Sequence, residues 1–218
     1  MNGIDIWKNL YEQRGGTHGH LPITDEIVDF FKKVGKITKP KNILEFGTNL
    51  GGSAAMQLSL NPKASIVTMD PKNWNVTDAI LYYPDSFMSN HKGLYGDTMS
   101  VSLLKIIYGD RFTFLNRSSK WVKDLVEDDF DYAFIDGSHV FLDVYNDIQN
   151  CIDLDIPYLL IDNIAQDEDA VPKRLQVKQA VEAHSNLLEE IDSVTYEIEH
   201  PVTLKKTTDS IILYKVKV

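Results

Sequence analysis

The stretch FIDGSHVFLDVYND, residues 134–147, passes from a strand into a helix, and its reading decides the fold. Tyr132, Ala133, Phe134 and Ile135 form an apolar, β-prone run without alternation, the pattern of a strand covered on both faces. Val140, Val144, Ile148 and Ile152 then recur every fourth residue, with Asp143, Asn146, Asp147 and Gln149 between them. That is the stripe of an amphipathic helix. Between the two lie Asp136, the turn-permissive Gly137, Ser138 as a candidate cap, and His139. An acid and a histidine so placed stand at the C-terminal edge of a buried strand, where open α/β sheets bind their ligands.

The same alternation extends in both directions. NILEFG (42–47), SIVTMDP (65–71), RFTFLNRS (111–118) and YLLIDNI (158–164) read as further strands. GSAAMQLSL (52–60), TMSVSLLKIIYG (98–109), SKWVKDLVEDD (119–129) and RLQVKQAVEAHSNLLEEI (174–191) read as helices between or after them. Ahead of these, TDEIVDFFKKVGKI (24–37) carries a helix start at Thr24, with Asp25 and Glu26 in its first turn. SVTYEIEHPV (193–202) and DSIILYKVKV (209–218) lie too close together for a crossover helix and are expected to pair antiparallel. The expected fold is α/β: a doubly wound, mostly parallel seven-stranded sheet with an antiparallel C-terminal strand. Residues 1–23 are expected to form a helical segment and a Gly/His-rich flap, RGGTHGH, and residues 24–218 a single domain.

At 218 residues the chain is long enough to bury a sizeable core without staples. Its formal net charge of -10, from 22 Lys and Arg against 32 Asp and Glu, argues against nucleic acid or an acidic membrane as partner. The single cysteine, Cys151, excludes an internal disulfide and reads as a small core residue. The N-terminal stretch holds no apolar run of signal-peptide length, so a reducing cytoplasm is expected.

LEFGTNLGGS (44–53) follows the first strand. Its glycines run G-x-x-x-G-G rather than G-x-G-x-x-G, and the acid Glu45 stands two residues before the first, where it would repel a pyrophosphate. Asp70, 25 residues beyond Glu45, ends the second strand, where an acid can accept both ribose hydroxyls. The ligand implied is a nucleoside without phosphates that carries positive charge. S-adenosylmethionine (SAM) fits that description.

Asp162 and Asn163 lie 26 residues beyond Asp136, one strand–helix–strand step away. On neighbouring strands roughly 4.8 Å apart their side chains can share one ion. Two carboxylates and an amide oxygen suit Mg²⁺, or Mn²⁺ or Ca²⁺, and suit zinc poorly.

On these residues the chain resembles the class I SAM-dependent methyltransferases, and among them the metal-dependent O-methyltransferases of catechol and caffeoyl-CoA type. EFGTNLGGS matches their E-x-G-x-x-x-G-x-S turn, and the resemblance spans roughly residues 24–218. It implies that Glu45, Gly47, Asn49, Gly51 and Ser53 surround the methionine part of the cofactor. It further implies Asp70 at the ribose, Ser118–Ser119 at the adenine, and Asp136 both beside the cofactor and, with Asp162 and Asn163, on the metal. The plant and animal enzymes usually carry a lysine three residues after the first metal ligand, as the proton acceptor. Here His139 stands there, an Asp-Gly-Ser-His version similar to bacterial macrolide sugar O-methyltransferases.

The expected activity is thus methylation of a hydroxyl on a small molecule with neighbouring oxygens, a sugar diol or a catechol, with His139 as base. A metal-free methyltransferase and a catalytically silent SAM-binding module are the alternatives. The aromatic insert NWNVTDAILYYPDSFMSNHKGLY (73–95) is expected to overhang the site as a lid, with a subunit interface of a homo-oligomer as the other reading. His18 and His20 read as a solvated loop, with a flap over the site as the other reading, and His91, His184 and His200 are expected at the surface.

Overall fold

The computed structural model describes residues 24–48, 51–71, 97–126, 129–166, 172–199 and 206–217. The N-terminal segment with His18 and His20, Asn49, the aromatic insert with His91, and His200 lie outside the described residues.

Among the described residues the strands are β1 (Asn42–Phe46), β2 (Ser65–Met69), β3 (Phe112–Leu115), β4 (Tyr132–Ile135), β5 (Tyr158–Ala165), β6 (Leu188–Glu199) and β7 (Lys206–Val216). They form one sheet in the order β3-β2-β1-β4-β5-β7-β6. The first five run parallel, and β7 pairs antiparallel with both β5 and β6. The helices are α1 (Asp25–Thr38), α2 (Gly52–Leu60), α3 (Asp97–Tyr108), the single turn α4 (Val122–Leu125), α5 (Phe141–Asp153) and α6 (Pro172–Ala183).

Period-2 alternation along the strands divides the core between the two faces. Ile43, Tyr132, Phe134, Leu160, Ile211 and Leu213 pack with Ile27 and Phe31 of α1 and Ala55 and Leu58 of α2. Leu44, Phe46, Ala133, Ile135, Leu159, Ile161 and Ile212 pack with Val144, Ile148 and Cys151 of α5 and Val177 of α6. Cys151 is buried, as a small core residue should be. Local signals agree with this burial. Thr24 caps α1 by accepting from the Ile27 N–H at 3.3 Å. Arg111 closes the far end of α2, donating to the carbonyls of Leu58, Asn61 and Ala64.

Three boundaries differ from the sequence reading. The helix expected to reach residue 191 ends at Ala183, and β6 begins at Leu188. Residues 188–190 are drawn into the sheet because β7 offers partners for them, Leu188 opposite Val216 and Glu190 opposite Tyr214, with a bulge at Ile191 before pairing resumes at Asp192. The helix expected over 119–129 shrinks to a 3-10 turn, Ser119–Trp121, followed by α4, where Val122 alone is buried. Val140, expected in the helical stripe, is instead the residue before α5 and is 44% exposed.

Register positions the site. Phe46 lies beside Ile135, and Ile135 beside Ile161, so β1 and β4 end level with Ile161 of β5, just before Asp162 and Asn163. The order reverses between β1 and β4, the switch point at which open α/β sheets leave a crevice. There the chains touch: Gly47 has φ +95°, and a Cβ on it would lie 2.2 Å from the Asp136 carbonyl oxygen. Gly47→Ala should therefore lower the stability of the fold by at least about 2 kcal/mol. Gly137→Ala is the control, since its added Cβ meets nothing closer than 3.4 Å. Urea denaturation of both variants checks this; equal midpoints would show that the crossing is not tight.

Candidate functional site

The glycine turn rests on a buried acid. Glu45 is fully buried and accepts from Ser53 Oγ at 2.7 Å and Gln57 Nε2 at 3.0 Å on Oε1, and from Thr68 Oγ1 at 2.6 Å on Oε2. Since Thr68 spends its proton on Glu45, the 2.6 Å contact between Thr48 and Thr68 has Thr48 as donor. Tyr132 donates in turn to Gln57 Oε1 at 2.6 Å. Burial pushes the Glu45 carboxyl up to about 7, against the lowering effect of Thr68 and Ser53. Glu45 thus ties strand, turn and helix together from beneath. Gly51 enters α2 with φ +76°, a backbone state glycine adopts freely, and its N–H donates to the Thr48 carbonyl. Asp70 follows β2, half-buried, with its N–H donating to the Leu115 carbonyl at 3.2 Å.

The second half of the site stands where β4 ends beside a bend within β5. Asp162 and Asn163 are 2% and 3% exposed, and both belong to β5, at an irregularity in its pairing with β7 between Ile161 and Ile164. Asn163 has φ +63°, a left-handed conformation that asparagine tolerates better than most residues. The bend turns its amide toward β4, where Nδ2 donates to Asp136 Oδ1 at 3.2 Å. Asp162 Oδ1 accepts from the Tyr196 hydroxyl and from the Asn163 N–H, both at 2.6 Å. Burial pushes both carboxyls up to about 7; Arg174 opposes the shift at Asp136, and the neighbouring Asp136 adds to it at Asp162.

His139 completes the group. Its Nε2 lies 3.7 Å from Asp136 Oδ1 and, among the described residues, is buried without a hydrogen-bond partner. Burial holds the imidazole below its ordinary value, Asp162 pulling the other way and Arg174 and Lys173 adding to the lowering. A neutral ring at pH 7 follows, with a nitrogen able to take a proton. Ser138 does not cap α5 itself. Its Oγ accepts from the Val140 N–H at 3.3 Å and donates to Asp143 Oδ2 at 2.6 Å, which steadies the turn carrying His139.

Asp136, His139, Asp162 and Asn163 therefore come together at one sheet edge, with the Gly47 turn against the Asp136 backbone. Asp70 and Ser118 lie farther along the same edge, after β2 and β3. Three participants escaped the sequence reading. Tyr196 of β6 reaches Asp162; Arg174 of α6 donates to Asn163 Oδ1 at 2.6 Å; and Asp209 of β7, fully buried, pairs with Arg174. Among the described residues no three His, Cys, Asp or Glu side chains converge as a metal centre. An oxygen half-shell here relies on the Asn163 amide as its third donor. His184, expected at the surface, is 2% exposed: it packs on the Tyr145 ring at 4.3 Å and its Nδ1 contacts the Ala180 carbonyl at 2.8 Å.

The sequence matches no protein-family model and no curated protein. Solved structures do match it over nearly its whole length. A candidate O-methyltransferase from Klebsiella pneumoniae is 16% identical with a TM-score of 0.62, covering 98% of this chain and 90% of its own. The O-methyltransferase TomG from Streptomyces achromogenes, involved in tomaymycin synthesis and solved with SAM, is 15% identical with a TM-score of 0.60, covering 100% and 91%. The O-methyltransferase from Bacillus cereus, solved with SAH, is 12% identical with a TM-score of 0.58, covering 96% and 90%. The fold is thus the Rossmann-like one these methyltransferases adopt.

The turn at Ser118–Ser119 is anchored from α5, and that anchor titrates. Asp147 is 3% exposed; burial pushes its carboxyl up to about 7, against a hydrogen bond from Ser119 and with Asp143 adding to the rise. The unfolded chain releases this proton near its ordinary 3.8, so between about pH 4 and 7 the folded state holds more protons. The stabilisation is complete below that window and lost as pH rises through it, by up to about 1.4 kcal/mol per pH unit. Asp147→Asn should flatten this part of the stability profile, which chemical denaturation across the window measures; an unchanged slope would contradict it.

Proposed function

We propose that the chain is a SAM-dependent methyltransferase that methylates a hydroxyl on a small molecule bearing neighbouring oxygens, a sugar diol or a catechol. The observation that carries this reading is His139 Nε2, buried and unpartnered among the described residues, 3.7 Å from Asp136 Oδ1 where β1 and β4 end beside β5. A buried basic nitrogen beside a carboxylate cluster has little structural reason to lack a partner. It has a chemical reason if a substrate hydroxyl completes it.

The turn after β1 suits this donor. Side chains are absent at Gly47, and the acidic edge of Asp70, Asp136 and Asp162 favours a sulfonium centre over a phosphate. Asp136, Asp162 and Asn163 would hold a divalent cation, Mg²⁺ or Mn²⁺. The donor set fits: two carboxylates pushed up by burial make a pocket that a cation would relieve. When bound, the cation would supply the positive charge that lowers the pKa of a neighbouring hydroxyl.

His139 takes the hydroxyl proton on Nε2, and its lowered basicity keeps the ring neutral and ready at pH 7. The freed oxygen attacks the sulfonium methyl in line; the C–O bond forms as the C–S bond breaks, and SAH leaves. The sheet edge contributes mainly by holding oxygen and methyl at near-attack distance. A net charge of -10 favours a small-molecule acceptor over nucleic acid. One observation favours the metal-free alternative: the Asn163 amide oxygen is engaged by Arg174.

Calorimetric titration of SAH into wild type, Asp70→Ala and His139→Ala tests the reading. Wild type and His139→Ala should bind alike, whereas Asp70→Ala should bind about tenfold or more weakly, as for a lost charged hydrogen bond. No SAH binding to wild type would end the proposal. With an accepted diol, His139→Ala should cost about 10²–10⁴-fold in rate; unchanged turnover would remove the histidine from the mechanism.

A further inference from the structure

Arg174 is in the first turn of α6, where a cation opposes the helix dipole. Something other than the helix must hold it there. Its guanidinium pairs with the fully buried Asp209 of β7 and donates from Nη1 to Asn163 Oδ1 at 2.6 Å, and its side chain is 12% exposed.

This contact settles which way the Asn163 amide faces. The oxygen receives the guanidinium N–H, and the nitrogen donates to Asp136 Oδ1 at 3.2 Å. Turning the amide over would set NH₂ against a guanidinium and C=O against a carboxylate, both repulsive. A divalent cation shared by Asp136 and Asp162 needs the opposite arrangement, with the amide oxygen toward itself. Asn163 can serve the arginine or the metal fully, and only at the expense of the other.

We propose that Arg174 is a resident counter-cation that competes with a divalent ion for the Asn163 amide oxygen and so holds the metal affinity of this site down. The inference rests on the metal reading given above. It assigns to Arg174 a role in setting affinity and none in the chemical step. Asp209 pairs with this guanidinium and Asp136 feels its charge, while Asp162 stands beside Asn163, so one fixed positive charge serves three acids and a divalent ion would add to it. Arg174 therefore weakens the site without closing it.

The test is a titration of Mn²⁺ into the full chain, followed by calorimetry and by the loss of the free-ion paramagnetic resonance signal. Arg174→Met is made together with Asp209→Asn, so that no buried carboxylate is left alone and the net charge is unchanged. This pair should bind Mn²⁺ about tenfold or more tightly than wild type, the size expected for removing a charged hydrogen bond that competes for the ligand. Adding Asp162→Asn should abolish binding in both backgrounds. If Arg174→Met with Asp209→Asn does not fold, as judged by circular dichroism, Arg174→Gln with Asp209→Asn takes its place. A smaller tightening is then expected, because the glutamine amide can still donate a neutral hydrogen bond. Equal or weaker Mn²⁺ affinity in the folded variant, with wild-type binding that Asp162→Asn removes, would overturn the role of Arg174 and leave the metal site standing. No Mn²⁺ binding to either protein, or binding that survives Asp162→Asn, would overturn the metal reading and this inference with it.

Discussion

Gathering the buried acids Asp162 and Asp209 and the half-buried Asp136 into one cluster with a single arginine, Arg174, is the constraint on which the functional edge of this sheet depends. A buried carboxylate is costly unless it is paired, hydrogen-bonded or protonated, and the first two remedies appear here. Asp209 takes the ion pair with Arg174, Asp162 takes the Tyr196 hydroxyl and the Asn163 N–H, and Asp136 takes the Asn163 amide. Apart from the Asn163 N–H, none of these bonds is local. They join β4, β5, β6, β7 and α6, so the antiparallel tail of the sheet is needed to complete a site begun by its parallel half.

The other half of the edge is built on the opposite plan. Glu45 is buried and its oxygens accept from Ser53, Gln57 and Thr68. A fully satisfied buried network fixes one arrangement of its parts. Glu45 thereby fixes β1 against β2 and α2, while the Asp136–Asp162 pair has one arginine nearby. The contrast divides structure from chemistry along one sheet edge: an acid closed into its own network beneath the turn, and acids sharing one arginine beside His139.

Much of this could be read from the sequence because parallel strands covered on both faces are short apolar runs ending in polar residues. Asp136 and Asp162 stand out for that reason, each directly after such a run, and the level register of β4 and β5 then brings them together. The contributions of Tyr196, Arg174 and Asp209 were not legible. Tyr196 alternates inward on a strand like any core aromatic, and only the order β5-β7-β6 brings its hydroxyl to Asp162, 34 residues away in the chain. The strand at 188–191 was hidden for a related reason: LLEEI suits a helix locally, and pairing with β7 overrides that preference. His184 gave no periodic signal of burial, because Tyr145, the ring it packs against, belongs to a different helix.

The most direct measurement is a crystal structure grown with SAH and Mn²⁺, with diffraction recorded at the manganese absorption edge. SAH should lie over the Gly47 turn with its ribose at Asp70, and the anomalous peak should fall between Asp136 and Asp162, with His139 facing the acceptor side. SAH bound away from that turn, or an anomalous peak away from those two carboxylates, would contradict the account.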